Sequence, residues 1–166
     1  MKLRIYEKED AAIVCSWIKD EKSLYQWSAD RIGKFPVSGD ELNAYYASGL
    51  NGKFIPLSAL DENGCLAGHF FIRYPDESDD STVRLGFVII APDLRGRGNG
   101  RKMMRLAEDY ARNELHASKI TLGVFAENES ARYCYEAAGF RQTGGISNYK
   151  INDGEWECLE MEKEID

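Results

Sequence analysis

The residues with the plainest capacity for chemistry lie between positions 83 and 101, which read VRLGFVIIAPDLRGRGNGR. An apolar strand is ended by Pro92, an arginine and three alternating glycines come next, and an amphipathic helix begins. Glycines let backbone amides point one way and let an anion come close, and a helix N-terminus adds partial positive charge. Gly96, Gly98, Asn99 and Gly100 supply the amides, while Arg95, Arg97 and Arg101 add full charges. A diphosphate is the guest such a turn suits. Taken alone, the same residues read equally well as a tight turn flanked by surface arginines. Two nucleotide-binding patterns fail here. The dinucleotide fingerprint is GxGxxG, whereas this spacing is Gly96-x-Gly98-x-Gly100. The phosphate loop of nucleoside triphosphatases needs Gly-Lys-Ser or Gly-Lys-Thr, but Gly100 is followed by Arg101-Lys102-Met103.

A second segment, residues 128–140, reads NESARYCYEAAGF. By itself it is an amphipathic helix in which Tyr133 and Tyr135 are ordinary core candidates. Together the two segments resemble the paired motifs of the Gcn5-related N-acetyltransferase (GNAT) superfamily. In that family a strand ends in V-x-P and is followed by R/Q-x-x-G-x-G/A, here Ile90-Ala91-Pro92 and Arg95-x-x-Gly98-x-Gly100. The second motif, N-x-x-A-x-x-x-Y-x-x-x-G-F, is met by Asn128, Ala131, Tyr135, Gly139 and Phe140.

The resemblance implies an acetyl-CoA-dependent N-acetyltransferase that uses direct attack in a ternary complex, with no covalent intermediate and no metal. It implies that the amides from Arg95 to Arg101 bind the pyrophosphate and that the backbones of Val88 and Ile90 pair with the pantetheine arm like an added strand. Asn128 would hydrogen-bond that arm, an amide near Val88 would stabilise the oxyanion, and Tyr135 would protonate the leaving thiolate. Many relatives carry a glutamate early in the strand before the turn. Here Arg84 stands in that region, so no general base is assigned; Glu127 and His69 are candidates with plainer roles as bystanders. Arg84 also keeps open a non-catalytic acyl-CoA-binding module of the same fold, whereas Asn128 and Tyr135 together favour the enzyme. The acceptor implied is a primary amine on a small molecule, peptide or protein, and the assembly a monomer or homodimer.

These residues need elements to position them. Alternation predicts strands at residues 2–6, 53–61, 65–74, 82–91 and 119–126, with a closing hairpin of 140–151 and 155–163. Asn63-Gly64 and Asn152-Asp153-Gly154 mark hairpin turns. Helical spacing predicts helices at about 10–19 with Ala12, Ile13, Trp17 and Ile18 buried, at 21–29 capped by Asp20, and at 39–50, 101–116 and 128–138, the last ended by a left-handed Gly139. The order predicts a mixed α+β fold. The resemblance sharpens this to a mostly antiparallel twisted sheet of six to seven strands, splayed in the middle and flanked by helices. Tyr25, Trp27 and Phe35 could face an acceptor, and the acids Asp30, Asp40 and Glu41 could attract a cationic amine.

At 166 residues one domain is expected. A net charge of -7 argues against a nucleic-acid or anionic-membrane partner, so the anion site must be local. Residues 1–10 lack the apolar stretch of a secretory signal, and no run approaches a membrane span, which predicts a cytoplasmic protein. Cys15, Cys65, Cys134 and Cys158 form no CxxC pair and read as free thiols, not as a zinc or redox site.

Overall fold

The computed structural model describes residues 1–49 and 54–165. Seven strands form one sheet: β1 (Lys2–Ile5), β2 (Ile55–Leu60), β3 (Leu66–Arg73), β4 (Thr82–Ile90), β5 (Lys119–Phe125), β6 (Arg141–Ile151) and β7 (Gly154–Glu164). Their order is β1-β2-β3-β4-β5-β7-β6. Every neighbouring pair is antiparallel except β4 with β5. That parallel pair exists because α4 (Asn99–Asn113) carries the chain back between the two strands.

Alternation sends Val83 and Leu85 of β4 and Ile120, Leu122 and Val124 of β5 to one face, where α4 and α5 (Glu129–Ala137) cover them. The opposite face carries Phe71, Phe87 and Ile89 under α1 (Asp10–Ser16), α2 (Glu21–Ser28) and α3 (Gly39–Ser48). The sheet therefore has two buried faces, and each of its central strands must serve both.

Several sequence expectations shift in detail. Helix α1 ends at Ser16; beyond it, amides of Trp17 and Ile18 bond three residues back, to Val14 and Cys15. Its buried side is Ala11, Val14 and Cys15, leaving Ala12 and Ile13 exposed, because Asp10 anchors the helix phase. Helix α4 begins at Asn99 and is stopped by the Ala117 amide bonding to Ala111 O, with His116 left-handed at φ 55°. In the turn after β2 only Gly64 takes a positive φ; the Asp61 carboxylate holds the amides of Asn63 and Cys65 at 2.8 and 2.9 Å. Asp20 caps α2 as expected, and Gly139 closes α5 at φ 95°. The expectations for Leu50 and Lys53 lie outside the described residues.

Asp10, 4% exposed, ties three elements. Two nitrogens of Arg4 on β1 donate to it at 2.7 Å each, the Ser58 hydroxyl on β2 donates at 2.6 Å, and the Glu7 amide at 3.1 Å. Burial pushes this carboxyl up, but the bonds from Arg4 and Ser58 outweigh it and hold it below the usual range. A depressed pKa makes the stabilisation complete above the unfolded value of about 4 and lost as pH falls through the folded value. Asp10→Asn is therefore expected to lose about 3 kcal/mol in urea unfolding near neutral pH. The gap from wild type should narrow at about pH 3, below the ordinary Asp value.

Candidate active site

Strands β4 and β5 are paired only over Thr82, Val83 and Arg84 with Lys119, Ile120 and Thr121. Beyond Arg84 they part, and a gap opens toward the carboxyl ends of both strands. Parallel neighbours end on the same edge of a sheet, so the segments that leave β4 and β5 meet there. The glycine turn leaves β4, and Asn128 lies just past the end of β5. Their closeness shows at Gly100, where an added Cβ would come within 2.7 Å of Cys134 Sγ on α5.

The backbone of β4 explains which groups face the gap. Ala91 N–H bonds to Ala67 O at 2.9 Å, and Ile90 stands opposite Gly68 in the next register position. Hydrogen-bonded and non-bonded pairs alternate in an antiparallel ladder, so Ile90 turns its N–H and C=O away from β3, across the gap. Its carbonyl accepts from Arg95 Nε at 2.9 Å. That bond draws Arg95 back over the strand end, and burial pushes its guanidinium down.

Between His69 and Phe71 the β3–β4 register slips, and β4 carries the extra residue. Phe87 there takes φ 52°, an unusual value for an aromatic residue. Its carbonyl, thrown out of the ladder, accepts from Trp27 Nε1 of α2 at 2.7 Å. The rings of Trp27 and Phe87 lie 5.0 Å apart. Trp27 thus pins the bulge that sets Val88 on the lip of the gap.

The turn itself has the shape of a cradle. Gly96 and Gly98 have φ of 71° and 77°, and a Cβ on either would meet no atom within 4 Å. Gly98 is the N-cap of α4, with no side chain capping that end, and Asn99 Nδ2 instead braces Leu94 O at 2.9 Å. Arg97 and Arg101 are exposed beside it. The open amides and flanking charges suit a diphosphate.

Asn128 caps α5 by accepting from the Ala131 amide at 3.3 Å. Tyr135, 7% exposed, joins the buried cluster of Leu85, Leu122 and Val124 on the α4/α5 face, and burial pushes its hydroxyl well up. Among the described residues its hydroxyl makes no hydrogen bond.

A profile of the Acetyltransferase (GNAT) family matches residues 15–140. The chain belongs to that family. The uncharacterized N-acetyltransferase YhfO of Bacillus subtilis is 27% identical over 155 residues, 92% of this chain and 97% of the relative. A spermidine N(1)-acetyltransferase of Vibrio cholerae is 34% identical over 144 residues, 87% of this chain and 80% of the relative. The crystal structure of spermidine N-acetyltransferase from Vibrio cholerae in complex with CoA and spermine superposes with a TM-score of 0.80 at 24% identity, over 99% of this chain and 95% of that one. This GNAT protein is accordingly an acyltransferase that moves an acetyl group from acetyl-CoA to an amine.

Two residues important to the acetyltransferase's geometry are not legible as such in the sequence. Trp27 is one of several aromatics there, and its partner is a carbonyl 60 positions away. Glu160 is one acid in the run Glu155 to Glu164, yet it accepts from Arg84 at 2.7 and 3.1 Å. Of the acids expected to draw a cationic amine, Glu41 closes a capping box with Ser38 at the start of α3, and Asp40 lies in the same turn. Tyr25 is buried with its hydroxyl donating to Asn152 at 3.2 Å, while Phe35 is 39% exposed. Glu127 pairs with Lys22 at 3.2 Å on the surface. His69 is fully buried, 2.6 Å from the Tyr46 hydroxyl, and burial pushes its ring down to about 3, which keeps it neutral beneath α3.

Proposed function

We propose that the chain works as one catalytic domain that acetylates a primary amine, with the coenzyme lying in the gap between β4 and β5. The observation that carries this reading is the parting of the two strands beyond Arg84 with the open glycine turn at the same edge. Amides of residues 96–101 hold the diphosphate; the Arg95 amide is instead turned back to Pro92 O at 3.2 Å. The backbones of Ile90 and Val88 pair with the pantetheine arm, and Asn128 borders it from the β5 side. The Val88 amide, presented by the bulge that Trp27 holds, donates to the oxyanion as the amine attacks the thioester carbon. The carbon–sulfur bond then breaks, the Tyr135 hydroxyl passes its proton to the departing sulfur, and the proton lost by the acylated nitrogen returns through solvent to restore Tyr135. Because α5 and Tyr135 cover one face, the amine approaches from the α2 face. A cytoplasmic setting fits four cysteines that are all free.

The test couples binding to turnover. Acetyl-CoA at ~100 times its Kd is expected to stabilise the chain by ~2.7 kcal/mol. Mixed with primary amines, the protein should release free thiol and acetylated amine in equal amounts. Thiol without acetylated amine would contradict the transfer step; no thermal shift would contradict the coenzyme site.

A further inference from the structure

The α2 face of the sheet, from which the acceptor approaches, holds an arrangement unlike the rest of this acidic chain. Arg73 on β3 stands directly opposite Arg84 on β4. Ile72, Val83 and Leu85 point into the cluster on the other face, so both arginines share the α2 face. Like charges directly opposite on one sheet face repel. Arg84 is partly relieved: it stretches over Gly123 of β5, where an added Cβ would fall 2.8 Å from its Nη2, and reaches Glu160 of β7 at 2.7 Å. A glycine at 123 is what lets the side chain pass. Arg31, just beyond α2, donates to the Tyr149 hydroxyl at 3.2 Å and lies 5.8 Å over that ring.

Arg73 has no such relief. It is half-buried, and among the described residues no carboxylate lies within ion-pair distance of it. Its burial, and then the fields of Arg84 and Arg31, push its guanidinium down. Among the described residues Glu160 is thus the one carboxylate within ion-pair distance of any of these three arginines, in a protein whose net charge is -7. Holding an unpaired charge out of water is unfavourable unless something pairs with it.

The position of this charge says what could pair with it. Arg84 is the last β4 residue paired to β5, and the bulge at Phe87, where the thioester carbon would lie, is three residues on, roughly 10 Å along the strand. An acceptor spanning the two would put its amine at the bulge and its other end at the arginines. We propose that the acceptor amine carries an oxyanionic group, a carboxylate or a chemically similar phosphonate or phosphinate, which Arg73 binds with Arg84 beside it. This rests on the acetyl transfer proposed above. A polyamine, by contrast, would bring a second ammonium against two guanidinium groups.

The experiment compares initial rates of acetylation at saturating acetyl-CoA for amino carboxylates, their methyl esters, aminophosphonates and spermidine. It uses the wild-type chain and Arg73→Gln. In the wild type an anionic amine should exceed its ester by roughly 10- to 100-fold in kcat/KM, as a charge-assisted pair would give. Arg73→Gln should erase most of that margin through KM, while leaving the acetyl-CoA thermal shift and the circular dichroism spectrum as in wild type. The carboxylate and phosphonate arms identify which anion is preferred. Spermidine or the esters outpacing every anionic amine would overturn the proposal while leaving acetyl transfer intact. So would an Arg73→Gln enzyme that loses acid and ester rates equally. Release of thiol with no acetylated amine in any arm would instead remove the transfer reading, and this proposal with it.

Discussion

Gly98→Leu is expected to abolish the rise in melting temperature that acetyl-CoA gives the wild-type chain, and to lower kcat/KM by roughly 100-fold or more, the consequence of losing about 3 kcal/mol of binding. Gly98 sits at φ 77°, and a Cβ there would meet no protein atom within 4 Å. The first side-chain carbon can therefore be built without touching α4. What it must tolerate is a left-handed backbone, at about 1–2 kcal/mol. What it fills is the space above the amides where the diphosphate is proposed to lie. Gly144 makes a matched control: it has φ 84°, equally open surroundings, and a place in edge strand β6, separated from β5 by β7. Gly144→Leu should show the same backbone strain with the coenzyme shift intact. Calorimetry or dye-monitored melting with and without acetyl-CoA separates the two. An undiminished shift in Gly98→Leu would remove the diphosphate from this turn.

The second large effect is expected at Tyr135. Tyr135→Phe keeps the ring in the cluster with Leu85, Leu122 and Val124 and removes a hydroxyl that makes no hydrogen bond among the described residues. Stability and the acetyl-CoA thermal shift should thus stay near wild type. If that hydroxyl supplies the proton to the departing thiolate, kcat should fall by roughly 10²–10⁴-fold. Burial raises the Tyr135 pKa above its ordinary value, so the group is protonated throughout the neutral range and holds a proton to give. Steady-state rates with a reactive amine, with KM measured for both substrates, decide the matter. A KM for acetyl-CoA rising in step with the loss of kcat/KM, at unchanged kcat, would make Tyr135 a binding residue.

Both predictions concern residues that short stretches of sequence bring into view. The glycines, Pro92 and the arginines act through local backbone geometry, and Asn128 caps the very helix that carries Tyr135. The same holds for Asp20 at the start of α2 and Gly139 at the end of α5. Local hydrogen bonds and local dihedral preference are properties of a few consecutive residues, so the chain announces them directly. Spacing alone serves less well. It groups Ala12 and Ile13 with Trp17 and Ile18 in the core, but only Trp17 and Ile18 are buried, because Arg4 and Ser58, from two different strands, anchor Asp10 and turn the helix. Glu41 reads as an attractant of amines by its charge, although the Ser38 amide three residues back already claims it.

The family, the mixed α+β order of elements, the glycine turn and the helix after it can all be read from the chain without coordinates, since each depends on residues that are neighbours in sequence. Other features exist only once the chain is folded. The parting of β4 from β5, the bulge at Phe87 pinned by Trp27, the opposition of Arg73 to Arg84 and the reach of Arg84 over Gly123 to Glu160 all join residues from separate elements. Sheet register sets these meetings. A shift of one residue in the pairing of β3 with β4 would turn Arg73 to the opposite face, and no local stretch of sequence records that choice.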